Sequence, residues 1–172
     1  MHFIDDWDIW ESTQVFPLPE ALEKFTLHDS GMLHIVQLPV GMLFVSIDFD
    51  IIWNQAVPKE FSLLVIRFAC PYRYVWREGS FELNTLGDAT SSVVPEEDRI
   101  RMLDDSDFDL RAYQGDSDDI QAPWDDEGLT LTTFRYVNWG RFEVLHGLDT
   151  RIRCFSPNGD SIDLSAIDLT GL

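Results

Sequence analysis

Residues 42 to 53, MLFVSIDFDIIW, carry the clearest alternation in the chain. Leu43, Val45, Ile47, Phe49 and Ile51 fall on one face of an extended strand, and Ser46, Asp48 and Asp50 on the other. One apolar and one acidic face predict an antiparallel sheet with a core side and a solvated side. Met32 to Leu38 forms a preceding strand-like run, and Pro39-Val-Gly41 supplies the turn between them. Phe61 to Cys70, FSLLVIRFAC, loses the alternation because nearly every position is apolar, which predicts a central strand covered on both faces. Pro71 interrupts the ladder. After it Tyr72, Tyr74 and Trp76 alternate with Arg73, Val75 and Arg77, the pattern of a core edge or of a cation–π surface.

Strand-like runs resume at Leu129 to Trp139, Arg141 to His146, Arg151 to Phe155 and Ile162 to Leu169, with Asn158-Gly159 as a hairpin signal before the last. Helical signals are short. Trp7 and Trp10, three apart, would share a face of an N-terminal helix that packs back on its own domain. Pro19 to Lys24 has its acids first and its lysine last, as the helix dipole prefers, and so do the charges of Pro95 to Leu103. The expected fold is therefore α+β and mostly β: an antiparallel sheet or sandwich of about six to eight strands with one or two short helices. A chain of 172 residues fits one domain, residues 1–172.

Within that domain residues 87–127 read as a long acidic insertion with few strand formers. Its second half, Asp104 to Glu127, holds ten carboxylates against one base, Arg111, and so supplies nine of the nineteen net negative charges. Like charges at this density repel one another and resist burial, so the stretch is either a solvated loop or a surface for a cationic partner. Three aromatics within it, Phe108, Tyr113 and Trp124, favour the contact surface, because anchors of that type supply binding energy that charge alone does not. The candidate partner-binding residues are Asp104, Asp105, Asp107, Phe108, Asp109, Tyr113, Asp116, Asp118, Asp119, Trp124, Asp125, Asp126 and Glu127.

Composition sharpens the choice of partner. Apolar residues make up 45% and aromatics 13%, too hydrophobic for a disordered acidic chain. A net charge of −19 lacks the basic face that nucleic acid or an anionic membrane requires, and favours a basic protein. Ten of the twelve cations are Arg, clustered in strand-like segments, where bidentate ion pairs inside the fold are expected. Cys70 and Cys154 form no CxxC pair and read as reduced, buried residues. MHFIDDWDIWE has neither the basic nor the apolar region of a signal peptide, no apolar run reaches membrane-span length, and the expected compartment is the cytoplasm.

Specific chemistry is scarce. Asp105, Asp107 and Asp109 fit the first positions of an EF-hand loop, but Leu110 stands where the turn needs Gly, and a second register from Asp116 to Glu127 puts Ile120 at a ligand position. Neither register predicts a calcium site, and no metal or cofactor is expected. His28 with Asp29, His34, His146, the two cysteines and the pair Asp48/Asp50 are the groups an enzyme could use. No motif of a hydrolase, metalloprotease, phosphate loop or redox dithiol accompanies them, so the chain is expected not to be an enzyme.

Phe25-x-Leu27-His28-Asp29-Ser30, then Leu33-x-Ile35, Gly41 and Leu43-x-Val45-x-Ile47-Asp48, resembles the opening of small bacterial immunity proteins of polymorphic or contact-delivered toxin systems. Gly140-Arg-Phe-Glu-Val-Leu is similar in style. The resemblance implies a single acidic α+β domain of the cytoplasm that is not catalytic and neutralises a cognate toxin. The long acidic insertion departs from the family's pattern, and no site residue is carried over. The expected function is that of an immunity or inhibitor protein for a basic effector of nuclease type, whose phosphate-binding side chains a row of carboxylates would occupy. The alternative is a structural or adaptor domain, phage- or secretion-associated, with a solvated acidic loop.

Overall fold

The computed structural model describes residues 5–38, 42–69, 73–77, 85–103, 128–137 and 140–169. Among them nine strands form two antiparallel sheets, consistent with the mostly β reading. The first sheet has the order β1 (Gly31–Leu38), β2 (Met42–Asp48), β3 (Leu63–Ala69), β8 (Thr150–Phe155), β9 (Ser161–Asp163). The second has the order β4 (Arg73–Arg77), β7 (Arg141–His146), β6 (Thr130–Tyr136), β5 (Leu86–Val93). Leu43, Val45 and Ile47 of β2, Leu64, Ile66 and Phe68 of β3 and Ile152 and Cys154 of β8 meet Phe134, Phe142 and Val144 of the second sheet in one buried core. The architecture is a sandwich. It is stapled along one side by the bridge between Gly31 and Thr85, where Asp29 N–H donates to Leu86 O at 2.9 Å and Leu86 N–H to Ser30 O at 2.6 Å.

The apolar face of β2 is the predicted one, and β3 is the central strand of its sheet. The other face of β2 is not simply solvated. Phe44 and Ser46 are buried, because helix α1 (Trp7–Ser12) lies across that side and inserts Trp10 among Phe44, Val65 and Phe155. Trp10 is 1% exposed and Trp7 41%, so only one of the two spaced tryptophans faces the sheet. Asp6 caps the helix by accepting Ile9 N–H at 3.2 Å.

Arginines hold this helix down. Arg67 and Arg151 stand opposite one another on β3 and β8, a repulsive placement for like charges. Glu11 resolves it, with Oε1 at 3.2 Å from Arg67 and Oε2 at 3.9 Å from Arg151. Arg151 also donates to the carbonyls of Trp10 and Glu11, at 2.8 and 3.0 Å, and Arg153 to Thr13 Oγ1 at 3.0 Å. These cations serve internal pairing, as their clustering predicts.

Other elements differ in extent. The second helix, α2, is a single turn, Leu18–Ala21, with Pro19 near its start, and Lys24 then pairs with Glu20 at 3.7 Å. Strand β2 ends at Asp48, earlier than its apolar pattern, because Asp50 Oδ1 accepts Ile52 N–H at 2.7 Å and turns the chain. The final run shortens to β9 and a 3-10 turn at Leu164–Ala166, and the Asn158-Gly159 turn spans more than two residues, with Ser156 N–H donating to Asp160 O and Gly159 at φ +91°. Helix α3, Glu96–Leu103, matches its predicted limits to one residue. Strand β5 lies at the start of the stretch read as insertion. Its Gly, Asp, Ser and Thr residues conceal it from an apolar pattern, and it is held by pairing along β6. No helix among the described residues is long and apolar enough to cross a membrane.

Candidate functional site

The predicted partner-binding residues, Asp104 through Glu127, lie outside the described residues, and so does Cys70. What is described is the frame that carries the acidic stretch. It belongs to the connection from β5 through α3 to β6, and that connection closes on itself: Val94 N–H donates to Leu129 O at 2.7 Å. Val94, Leu129 and Leu145 are buried there, with Val75, Met102 and Leu131 packed against them. Gly128, just before β6, has φ +83°, and a Cβ at that position would stand 3.3 Å from Val93 Cγ1. A side chain at 128 would therefore be strained by both backbone and space. The stretch thus starts after α3 and ends at a glycine set against Val93 of the edge strand β5.

Apart from His28 and Asp29, no two of the described candidate catalytic groups are brought into contact. Asp50 is occupied by its own turn, and Asp48 is exposed at the end of β2. Cys154 is buried, and burial pushes its thiol up to about 12, which removes the thiolate a nucleophile needs. His146 is buried too. Its Nδ1 faces Gly147 O, its Nε2 is 2.6 Å from Thr132 Oγ1, and that hydroxyl is 2.7 Å from Ser91 Oγ. Burial pushes this imidazole down to about 4. Among the described residues no group of three His, Cys, Asp or Glu side chains is placed to hold a metal.

His28 and Asp29 do face one another, with Nε2 at 3.4 Å from Asp29 Oδ2. The same carboxylate oxygen accepts the Trp53 indole N–H at 3.2 Å, and the His28 and Trp53 rings meet edge to face at 5.4 Å. His28 Nδ1 lies 2.7 Å from Gly87 O on the second sheet. The Gly87 carbonyl can only accept, so its hydrogen bond takes the proton on Nδ1, while Nε2 is turned toward the Asp29 carboxylate. Asp29 has φ +60°, the one positive value at a non-glycine among the described residues. That conformation lets its N–H close the staple to Leu86 while its carboxylate turns outward.

The cluster opens to solvent through Ile52 and Trp53, 72% and 54% exposed. They are adjacent on the loop after β2, and Asn54 braces that loop from inside. The Asn54 amide donates to Thr26 O at 2.8 Å and Asp50 O at 2.6 Å, and its oxygen accepts Thr26 N–H at 2.9 Å. Asn54→Ala would leave three backbone groups without these partners at a site 5% exposed, and is expected to cost about 2 kcal/mol in urea denaturation, with faster amide exchange at Thr26. Trp53 escapes the sequence reading because it terminates an apolar run. The signal that identifies it is the pair Asp50 and Asn54 flanking Ile51-Ile52-Trp53, turn-forming residues around large apolar ones.

An open depression of about 500 Å³ adjoins this corner, lined by Gly87, Asp88, Arg135, Tyr136, Val137, Gly140 and Arg141. Its arginines are committed, Arg135 to Asp88 at 3.5 Å and Arg141 to Glu143 at 3.1 Å. Comparison with known proteins finds no matching family model, no similar curated protein and no similar solved structure.

Proposed function

We propose that this chain is a non-catalytic immunity or inhibitor protein of bacterial type, acting in the cytoplasm, that neutralises a basic effector through an acidic surface. The observation that carries the reading is the ratio of ten carboxylates to one base in 104–127, on a connection whose ends are pinned at Val94 and Leu129. Two further features support it. Arg67, Arg151 and Arg153 are spent holding α1, so they do little to offset the acidic exterior. His146 is buried and engaged at both nitrogens, a packing role rather than proton transfer. A nuclease-type toxin fits this chemistry, because its phosphate-binding lysines and arginines would accept carboxylates in the same places.

The test is capture from a lysate that contains the candidate effector, at low and at high salt, with the wild-type chain and with Asp116→Asn, Asp118→Asn and Asp119→Asn combined. A basic protein should be retained at low salt, released at high salt, and bound about tenfold more weakly by the triple variant. Capture indifferent to both salt and substitution would favour the structural or adaptor reading, in which the stretch is only solvated.

A further inference from the structure

The staple between the sheets also carries a second, differently built contact point. We infer that Asp29 and Trp53 form a fixed cradle for one arginine side chain of the basic partner. This rests on the proposed function and names a site for it outside the acidic stretch.

Three observations point there. Ile52 and Trp53 are large apolar side chains left in water side by side, with Trp53 more than half exposed although its N–H is already satisfied. More than half of the indole is open to solvent, and an exposed indole ring attracts cations and stacks with a planar guanidinium. Beside it the Asp29 carboxylate spends only Oδ2, on Trp53 and His28, and Oδ1 has no partner among the described residues. A free carboxylate oxygen next to an exposed aromatic ring is the pairing that an arginine satisfies with one charge-assisted hydrogen bond and its guanidinium plane together. Finally, nothing in the cradle has to be ordered on binding. The Asp29 backbone is tied to Leu86, the His28 ring to Gly87 and the Trp53 loop to Asn54. Preorganisation of this kind reduces the entropy lost on association, and Trp and Arg are the residues that dominate interface energies. An arginine fits the acid, the ring and the overall charge of −19, whereas a purely apolar partner would leave Asp29 facing a surface without a donor.

The experiment is nuclear magnetic resonance of the full chain, with the Trp53 indole resonance identified by its loss in Trp53→Phe. The probe is the blocked tripeptide glycyl-arginyl-glycine, and its control is the same peptide with neutral citrulline. The Trp53 indole and Asp29 amide signals should shift saturably with the arginine peptide, with an affinity in roughly the millimolar range, and should stay in place with citrulline. Asp29→Asn keeps an acceptor for the indole and a residue that tolerates positive φ, so the fold is retained while the charge is lost, and the shifts should fall by at least about half. Equal shifts with both peptides, or full shifts in Asp29→Asn, would overturn the cradle. Shifts confined to 104–127 would overturn it while leaving the acidic-surface reading intact, and no shift in either region would count against both.

Discussion

Trp10→Ala is expected to destabilise the protein by about 3–5 kcal/mol, the range for removing a buried aromatic side chain. Trp10 is 1% exposed and packs edge to face on Phe44 at 5.4 Å and against Phe155 at 6.2 Å. The loss does not stop at the cavity. Helix α1 has only six residues, too few to persist without tertiary contacts, so loosening Trp10 also loosens Glu11. Arg67, 2% exposed and with a buried Nε that already lacks a partner, would then lose its counter-ion, and Arg151 would face it across the ladder with Asp149, 3.5 Å away, as its carboxylate. Urea denaturation measures the effect. Trp7→Ala, at a 41% exposed position three residues earlier, should stay within about 0.5 kcal/mol. Equal costs for the two variants would mean that the helix is held by something other than Trp10.

Acidification should remove about 3 kcal/mol of stability through His146 alone. Burial lowers this imidazole to about 4 in the folded protein, opposed in part by its hydrogen bond to the Gly147 carbonyl. In the unfolded chain it returns to about 6.5. Between those values the unfolded state binds the proton and the folded state does not. The contribution is therefore complete above about pH 6.5, shrinks as the pH falls, and is fully lost below about pH 4. The groups touching the ring, Thr132, the Gly147 carbonyl and Phe68, are uncharged, so desolvation sets the size of the effect. Comparing urea midpoints near neutral pH and near pH 4 for wild type and His146→Gln isolates it from the carboxylates, which titrate in both proteins. The wild type should lose about 3 kcal/mol more than the variant over that interval. Parallel losses would show that His146 is accessible to solvent.

Much of the framework is legible along the chain. The alternation over Leu43, Val45 and Ile47 is a face of β2, the nearly all-apolar run 61–70 contains the central strand, and the charge order around Glu96 to Leu103 marks α3. Strand β5 is not legible. Residues Leu86–Val93 are small and polar, and the strand exists because its backbone is paired along β6 and its Ser91 hydroxyl meets Thr132. Of the candidate site, the acidic stretch is plain in the sequence, whereas the Asp29 and Trp53 cradle is not, since its two members are 24 residues apart.

The sequence by itself determined the antiparallel, mostly β class, the excess of acid and its concentration between Asp104 and Glu127, because periodicity and charge density are properties of neighbouring residues. Tertiary structure alone decided that β3 pairs with β8 and β4 with β7, that Trp10 and not Trp7 is buried, that Glu11 separates Arg67 from Arg151, and that His28 and Asp29 face Trp53. Each of these depends on which distant surfaces meet. Local pattern says that a face must be covered; only the closing of the two sheets on a shared core selects what covers it.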